Sequence, residues 1–351
     1  MVLPPTFVPG FHDEAAVRKM RYGPLGKTGL QVSHLGFGGA ALGGRLLFGE
    51  FEESEAIAMV QEAIKQGINY IDTAPYYGQG RSEEILGKAL KGIPRKAYYI
   101  ATKVARYEVD VITRFDFSRE RTLKSVDHSL QLLGLDSVDI IQVHDIDLAT
   151  NLDVVLNETL PALQEVVDAG KARYIGVTCH TVGTLKEAVE RSTVPISTVL
   201  SYARNTLIDD GLLHVLPFFQ SKGVGVVNAA GLVMGLLTND GPQSWHPAIE
   251  PVKKLCAEAA AYCKERGVEL ARLAQYHTML HPGPATHLVG MNSKAVLRSN
   301  LDIATNGLTD LETHVLEDIK SKFLSKIQGT HFEGVEMEEY KEALRQKGKK
   351  Q

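Results

Sequence analysis

The chain has 351 residues, of which 44% are hydrophobic and 23% are charged, and its formal net charge is −4. This composition is typical of a globular enzyme and excludes a disordered or fibrous chain. The small negative charge provides no basic field for nucleic acid or anionic lipid, and no apolar run is long enough to predict a membrane span.

The N-terminal part is predicted to be an extension, residues 1–20, followed by a hairpin. Within Tyr22–Val32, the run Gly26-Lys27-Thr28-Gly29 separates two short extended segments, a pattern typical of a β-hairpin. We expect this hairpin to plug the N-terminal end of the structure that follows.

From residue 21 onward, short apolar runs alternate about eight times with segments of helical length. The runs are rich in Val, Ile and Tyr and are apolar on both faces, as the strands of a buried parallel sheet must be. The predicted strands are Leu35–Phe37, Ile68–Ile71, Tyr98–Val104, Val138–Val143, Ala172–Val177, Thr198–Tyr202, Val224–Asn228 and His287–Val289.

Amphipathic segments between these strands predict helices that end at glycines. Examples are Ala56–Ile64 before Gly67, Leu123–Leu133 before Gly134, and Leu156–Val167 before Gly170. The repeat predicts the α/β class and a single (β/α)8 TIM barrel over residues 21–325, with a C-terminal helix at Leu311–Phe323. Residues 326–351 are expected to form a mobile charged tail.

A possible dinucleotide fingerprint follows the first strand at Gly36-Phe37-Gly38-Gly39-Ala40-Ala41. In a Rossmann fold the last glycine would open a helix directly, whereas here the next helix is predicted only after Gly49–Glu53. The motif therefore does not favour a Rossmann domain over the barrel.

The three cysteines, Cys179, Cys256 and Cys263, have neither CxxC nor metal-ligand spacing. This spacing predicts no metal site, and their odd number, without a signal peptide, predicts free thiols in a cytoplasmic protein. The net charge and the lack of a long apolar run predict no nucleic-acid or membrane partner.

Four reactive side chains lie where strands of the predicted barrel end. Asp72 ends the second strand and Tyr77 follows five residues later, while Lys103 and His144 end the third and fourth strands. Catalytic groups of such barrels lie at the carboxyl ends of the strands. These four residues are therefore the candidate catalytic residues.

Their chemistry suits hydride transfer at a carbonyl, where the oxygen must gain or lose a proton. Tyrosine has a pKa near 10, and a neighbouring ammonium such as that of Lys103 favours its ionised form. Asp72 would keep the lysine charged, and His144 would either orient the carbonyl oxygen or relay the proton.

With this tetrad the chain resembles the aldo-keto reductase family over roughly Met20–Phe323. The resemblance includes the block Arg81–Leu90 after the tyrosine. It implies catalytic roles for Asp72, Tyr77, Lys103 and His144, and a nicotinamide cofactor.

The resemblance also implies where the cofactor is held, although Cys179 and Ala229 replace an amide and an aromatic residue that are usual in the family. The candidate cofactor-binding residues are Gly38, Thr178, Ser201, Asn228, Gly231, Leu232, Gly290, Asn292, Ser293, Lys294, Arg298 and Asn300.

NADP carries a 2'-phosphate that NAD lacks, so the choice between the two cofactors depends on whether cations are placed to bind this group. Members selective for NADP carry cations where this chain has Gly290 and Val296, so NAD is favoured. Lys294 and Arg298 leave NADP open as the alternative.

Three further blocks resemble the L-galactose dehydrogenase branch of the family: Thr198–Tyr202, Asn228–Thr238 and Gly241–Ala248. This implies oxidation of an aldose at C1 to its lactone with NAD. The alternatives are an NADPH-dependent reductase of aldehydes, ketones or quinones, and a non-catalytic nucleotide-sensing subunit. Three loops are expected to shape the substrate pocket, namely Arg45–Phe48, Arg106–Val109 and Asn205–Asp210, and the oligomeric state is left open.

Overall fold

A computed structural model describes residues 2–44, 51–327 and 335–348. The predicted hairpin is present as antiparallel strands β1 (Tyr22–Pro24) and β2 (Gln31–Ser33). Its turn lies against the end of the barrel, where a Cβ on Gly26 would come within 2.3 Å of the Gly225 nitrogen. With its φ of +55° as well, this position requires glycine.

Eight parallel strands then form the barrel, as the sequence predicted. They are β3 (Leu35–Gly38), β4 (Tyr70–Asp72), β5 (Tyr99–Val104), β6 (Val138–Val143), β7 (Ala172–Cys179), β8 (Thr198–Tyr202), β9 (Gly225–Ala229) and β10 (Thr286–Gly290). Each strand pairs with the next, and β10 pairs with β3 to close the ring. The (β/α)8 fold is confirmed, and the glycine-rich run after β3 opens no Rossmann helix.

Helices surround this barrel, most of them on its outside. They are α1 (Glu14–Lys19), α2 (Glu53–Lys65), α3 (Arg81–Leu90), α4 (Arg119–Leu133), α5 (Leu152–Val154), α6 (Leu160–Asp168), α7 (Val182–Arg191), α8 (Gly211–Lys222), α9 (Glu250–Lys264), α10 (Leu270–Leu280), α11 (Lys294–Asn306), α12 (Asp310–Lys322) and α13 (Val335–Gly348). The predicted helix at 156–167 is divided, because a π-helical turn at Val155–Thr159 joins α5 to α6.

Alternation along the strands separates two apolar cores. Side chains such as Tyr70, Ile140 and Leu288 fill the barrel together with Leu25 and Val32 of the hairpin. The opposite faces of the strands pack against the helices. The hairpin thus closes one end of the barrel, and the carboxyl ends of the strands are left to form the site.

The C-terminal segment differs from the predicted mobile tail, because residues 335–348 form helix α13. Tyr340 is buried there, and its ring lies edge-on at 5.1 Å from the ring of Phe115 in the loop after β5. One aromatic contact therefore places a charged helix against a loop at the mouth of the barrel, which hydropathy alone did not indicate.

Candidate active site

The four candidate catalytic residues lie together at the carboxyl end of the barrel. Asp72 is the last residue of β4, Lys103 lies near the end of β5 and His144 follows β6 directly. Tyr77 reaches the same place from the loop after β4. Strand order thus brings together residues up to 72 positions apart in the sequence.

Lys103 is the centre of this group. Its Nζ donates to a carboxylate oxygen of Asp72, to the Thr73 carbonyl at 2.8 Å and, more distantly, to the Tyr77 hydroxyl at 3.4 Å. The side chains of Lys103 and Asp72 are only 1% and 3% exposed. A buried ammonium in this position must be paired, and Asp72 provides the pairing charge.

The second Asp72 oxygen is held by a residue that sequence reasoning missed. Gln142 Nε2 donates to Asp72 Oδ2 at 2.7 Å, and Gln142 is fully buried. The alternation of side chains along a strand could have identified it, because Gln142 lies two residues before His144 and therefore points to the same side of the strand.

The electrostatics of the Lys103–Tyr77 pair follow from burial and charge. Burial alone would lower the pKa of Lys103, but the attraction of Asp72 and Tyr77 raises it above its ordinary value, so the lysine is an ammonium. Burial raises the pKa of Tyr77, while Lys103 lowers it, and the net direction is upward. The contribution of the ammonium has the expected sign, but desolvation outweighs it.

His144 faces this pair as a neutral ring. Its ring lies 5.8 Å from that of Tyr77, at 89° to it. Burial lowers the pKa of His144 well below the usual value for histidine, despite the opposing effect of Asp145. A neutral imidazole is better suited to orienting a substrate oxygen than to supplying a proton, which favours the first of the two roles expected for it.

The predicted nicotinamide contacts have different surroundings. Ser201 pairs in register with Cys179 on one side and Asn228 on the other. The Ser201 hydroxyl is buried and has no hydrogen-bond partner among the described residues. The Thr178 hydroxyl is already engaged, since it accepts from the Asp145 backbone N–H at 2.9 Å.

Cys179 is a buried neutral thiol, because burial raises its pKa well above the ordinary value. Cys256 and Cys263 are likewise free and buried. The expectation of free thiols is therefore met in the structure, and Cys179 offers a bound amide only a weak partner.

The loop after β9 has an unusual backbone. Ala230, Val233 and Met234 all have φ values between 50° and 58°, a region that side chains such as valine rarely adopt. Gly231 lies within this turn, where a Cβ would come within 2.9 Å of Thr278. Leu232 is half-buried beside it. Such strained turns are frequent at ligand sites.

The remaining candidates lie around β10 and α11. Gly38 pairs with Gly290 on one side and Asp72 on the other, which places it next to the tetrad. Ser293 caps α11 by accepting from the Val296 N–H at 3.3 Å. Asn292 is exposed before it, and Asn300 is buried about two turns further on, bonded to the Val296 carbonyl.

Lys294 and Arg298 are not brought to the tetrad. Both are exposed and line a groove between α11 and α2, together with Glu62 and Gln66. Neither forms an ion pair with another residue in the described ranges. The predicted pocket loop Arg45–Phe48 lies outside the described residues.

Two further observations concern the described part of the chain. It contains no cluster of three or more acidic, histidine or cysteine side chains placed to hold a metal ion. None of its helices combines the length and apolar character needed to span a bilayer.

The barrel and its tetrad define a family of oxidoreductases. The model of the aldo/keto reductase family matches residues 34–321. The chain belongs to this family, as the sequence resemblance indicated, and it is an NAD(P)-dependent oxidoreductase.

Individual relatives are similar over most of the chain. L-galactose dehydrogenase of Arabidopsis thaliana is 43% identical over 292 residues, which cover 82% of this chain and 89% of the relative. D-arabinose 1-dehydrogenase of Saccharomyces cerevisiae is 30% identical over 278 residues, with coverages of 74% and 81%. The holo form of aldo-keto reductase AKR11C1 from Bacillus halodurans has a TM-score of 0.65 and 28% identity, with coverages of 86% and 96%.

Proposed function

We propose that this enzyme oxidises an aldose, such as L-galactose, at C1 to the lactone with NAD. Two sugar dehydrogenases are among its relatives, and the first of them is 43% identical over most of the chain. The observation that carries the proposal is the Tyr77 hydroxyl placed 3.4 Å from the Lys103 ammonium and next to a neutral His144. In its ionised form, which Lys103 stabilises, Tyr77 can take a proton from a sugar hydroxyl.

In the proposed reaction the C1 hydroxyl gives its proton to the ionised Tyr77 oxygen, and the C1 hydrogen leaves with its electron pair as a hydride. NAD, when bound, supplies the hydride acceptor. Lys103 stabilises the Tyr77 phenolate, and Asp72 and Gln142 hold Lys103 in place. His144 orients the substrate oxygen, so that the lost proton and hydride convert a hemiacetal into a lactone.

The residues around the barrel mouth fit a nicotinamide dinucleotide. The unpartnered Ser201 hydroxyl and Cys179 would face the amide. Gly38, Gly290 and the turn that holds Gly231 and Leu232 would lie along the phosphates. The capped start of α11 provides free backbone N–H groups for an anion, with Asn292, Ser293 and Asn300 nearest the adenosine end.

The preference for NAD is supported by the positions of the cations. Gly290 and Val296 supply no charge, while Lys294 and Arg298 lie along the groove toward α2. These two cations keep open the second candidate function, an NADPH-dependent carbonyl reductase, because neither forms an ion pair with another described residue. The hydrogen-bonded group of Asp72, Lys103 and Tyr77, with the His144 ring beside it, argues against a non-catalytic subunit. The cytoplasmic location expected from the sequence stays a prediction.

The test is a fluorescence titration of the purified protein with NADH and with NADPH at physiological salt, followed by assays of L-galactose and other aldoses with NAD. We expect NADH to bind more tightly than NADPH in the titration. In the assays we expect one lactone to form for each NADH produced. Tighter binding of NADPH, with aldehyde reduction and no aldose oxidation, would favour the reductase instead.

A further inference from the structure

Asp145 is a buried carboxylate beside the tetrad that the catalytic scheme above does not use. It follows His144 directly, is 4% exposed and has a φ of 51°. A non-glycine residue in this region is uncommon, although Asp and Asn tolerate it best. Residues in such conformations are concentrated at functional sites, and this one adjoins a catalytic residue.

The carboxylate is fixed on both sides. Arg106 Nη1 donates to Oδ2 at 2.5 Å, and the Thr178 hydroxyl donates to Oδ1 at 3.3 Å. Burial would raise the pKa of Asp145, but the surrounding groups, among them the Arg106 guanidinium that is bonded to it, hold this pKa well below its usual range. The group is therefore an anion, and its Oδ2 lies 3.6 Å from Nε2 of His144.

Arg106, which is bonded to Asp145, also contacts two aromatic rings. Its guanidinium carbon lies 4.2 Å from the ring centre of Tyr76 and 5.5 Å from that of Phe115. The ring of Tyr76 is in turn 6.5 Å from the His144 ring. The Arg106–Asp145 pair thus packs against the residue before the catalytic tyrosine and against the catalytic histidine.

We propose that Asp145 is a positioning residue for the hydride-transfer reaction. Held by Arg106 and Thr178, its carboxylate keeps the His144 ring beside Tyr77 and places a fixed negative charge next to the proton-transfer step. The proposal rests on the Tyr77 proton step of the proposed function, but not on the identity of the substrate. It applies equally to oxidation and to reduction.

The direction in which a nearby charge shifts the pKa of Tyr77 can be predicted. The charged and titratable groups around the Tyr77 hydroxyl are Lys103, Asp72, His144, Asp145 and, beyond Tyr76, Arg106. Asp145 raises the pKa of Tyr77 and so opposes Lys103. Asp145→Asn should therefore lower that pKa, whereas Arg106→Met leaves the anion unopposed and should raise it.

The experiment is the pH dependence of kcat for both variants, with L-galactose and NAD. Oxidation needs ionised Tyr77, so kcat rises with pH. We expect this rise to move to lower pH in Asp145→Asn and to higher pH in Arg106→Met. The plateau value of kcat should also fall in Asp145→Asn, by about tenfold or more, because His144 is less well placed. A merely structural role would not shift the two profiles in opposite directions.

The matched control is Asp139→Asn. Asp139 is also buried on the β6 segment and paired with Arg95 and Arg173, at 2.7 and 3.0 Å, but at the opposite end of the strand. The Asp139→Asn variant should be less stable than the wild type, but the pH dependence of its kcat should be unchanged. Asparagine tolerates the backbone at 145, and Arg106→Met provides a second, independent variant should Asp145→Asn fold poorly.

Two failures can be told apart. If the wild-type enzyme oxidises no aldose, the proposed function fails, and the same profiles are measured for reduction of 4-nitrobenzaldehyde with NADH or NADPH. There, kcat falls with rising pH as Tyr77 loses its proton, and the variants should shift in the same directions as before. Unshifted profiles in both variants, or shifts of the same sign, would overturn the role of Asp145.

Discussion

Gln142 on β6 donates a hydrogen bond of 2.7 Å to the carboxylate of Asp72 at the end of β4, and this carboxylate is the one paired with the catalytic lysine. The lysine contacts one carboxylate oxygen and the glutamine contacts the other. Asp72 is thereby held by two partners, and its orientation toward Lys103 does not depend on the lysine alone.

Replacing Gln142 should therefore weaken both the fold and the reaction. Gln142→Leu leaves Asp72 Oδ2 buried without this donor, and a hydrogen bond to a charged group contributes about 1.5–3 kcal/mol. We expect a lower midpoint of urea unfolding and a lower kcat. Gln164→Leu is the control, because Gln164 makes a similar bond to Asp168 on the surface. Wild-type stability and kcat in Gln142→Leu would contradict a supporting role.

Removal of the Tyr77 hydroxyl should separate catalysis from binding. In Tyr77→Phe the proton acceptor is lost while the ring is kept, so kcat should fall by about 10²–10⁴-fold. The affinity for NADH, measured by fluorescence, should be unchanged. Tyr22→Phe serves as the control, since its hydroxyl bonds to the Gly67 carbonyl near the hairpin, away from the tetrad. Near-full activity of Tyr77→Phe would remove Tyr77 from its assigned role.

The two exposed cations of α11 should matter for one cofactor more than the other. Replacing Lys294 and Arg298 together by methionine removes charge that only a 2'-phosphate would meet. We expect the affinity for NADPH to fall by about tenfold, with a much smaller loss for NADH. Methionine at both Lys320 and Lys326, which are exposed, is the control for the loss of two positive charges. An equal loss for both cofactors would place these cations at the shared pyrophosphate instead.

Helix α13 should influence the substrate more than the cofactor. It lies outside the matched residues 34–321 and contacts Phe115, whose ring faces Arg106. Tyr340→Ala removes the buried ring and should release the helix, since deletion of a buried aromatic side chain costs about 3–5 kcal/mol. We expect KM for the substrate to rise while NADH affinity is kept.

The exposed neighbour Glu339 gives the matched control. Glu339→Ala lies on the same helix and should leave KM at the wild-type value. A Tyr340→Ala enzyme with unchanged KM would show that α13 has no part in forming the substrate opening.

Much of the fold and the identity of the tetrad followed from local properties of the chain. Apolar runs alternating with amphipathic segments predicted all eight barrel strands, two of them, β6 and β8, with the observed bounds. Asp72, Lys103 and His144 were found because a parallel barrel collects the ends of its strands on one side. These inferences need only periodicity and strand order, which a sequence carries directly.

The tertiary structure decided the contacts that depend on distance between separate elements. The Gln142–Asp72 hydrogen bond, the Arg106–Asp145 ion pair and the docking of Tyr340 on Phe115 each join residues more than 35 positions apart. The net direction of the Tyr77 pKa also required the fold, because burial and charge act on it with opposite signs. Residue types can indicate which charges exist, but only their packing determines which of two opposing effects is larger.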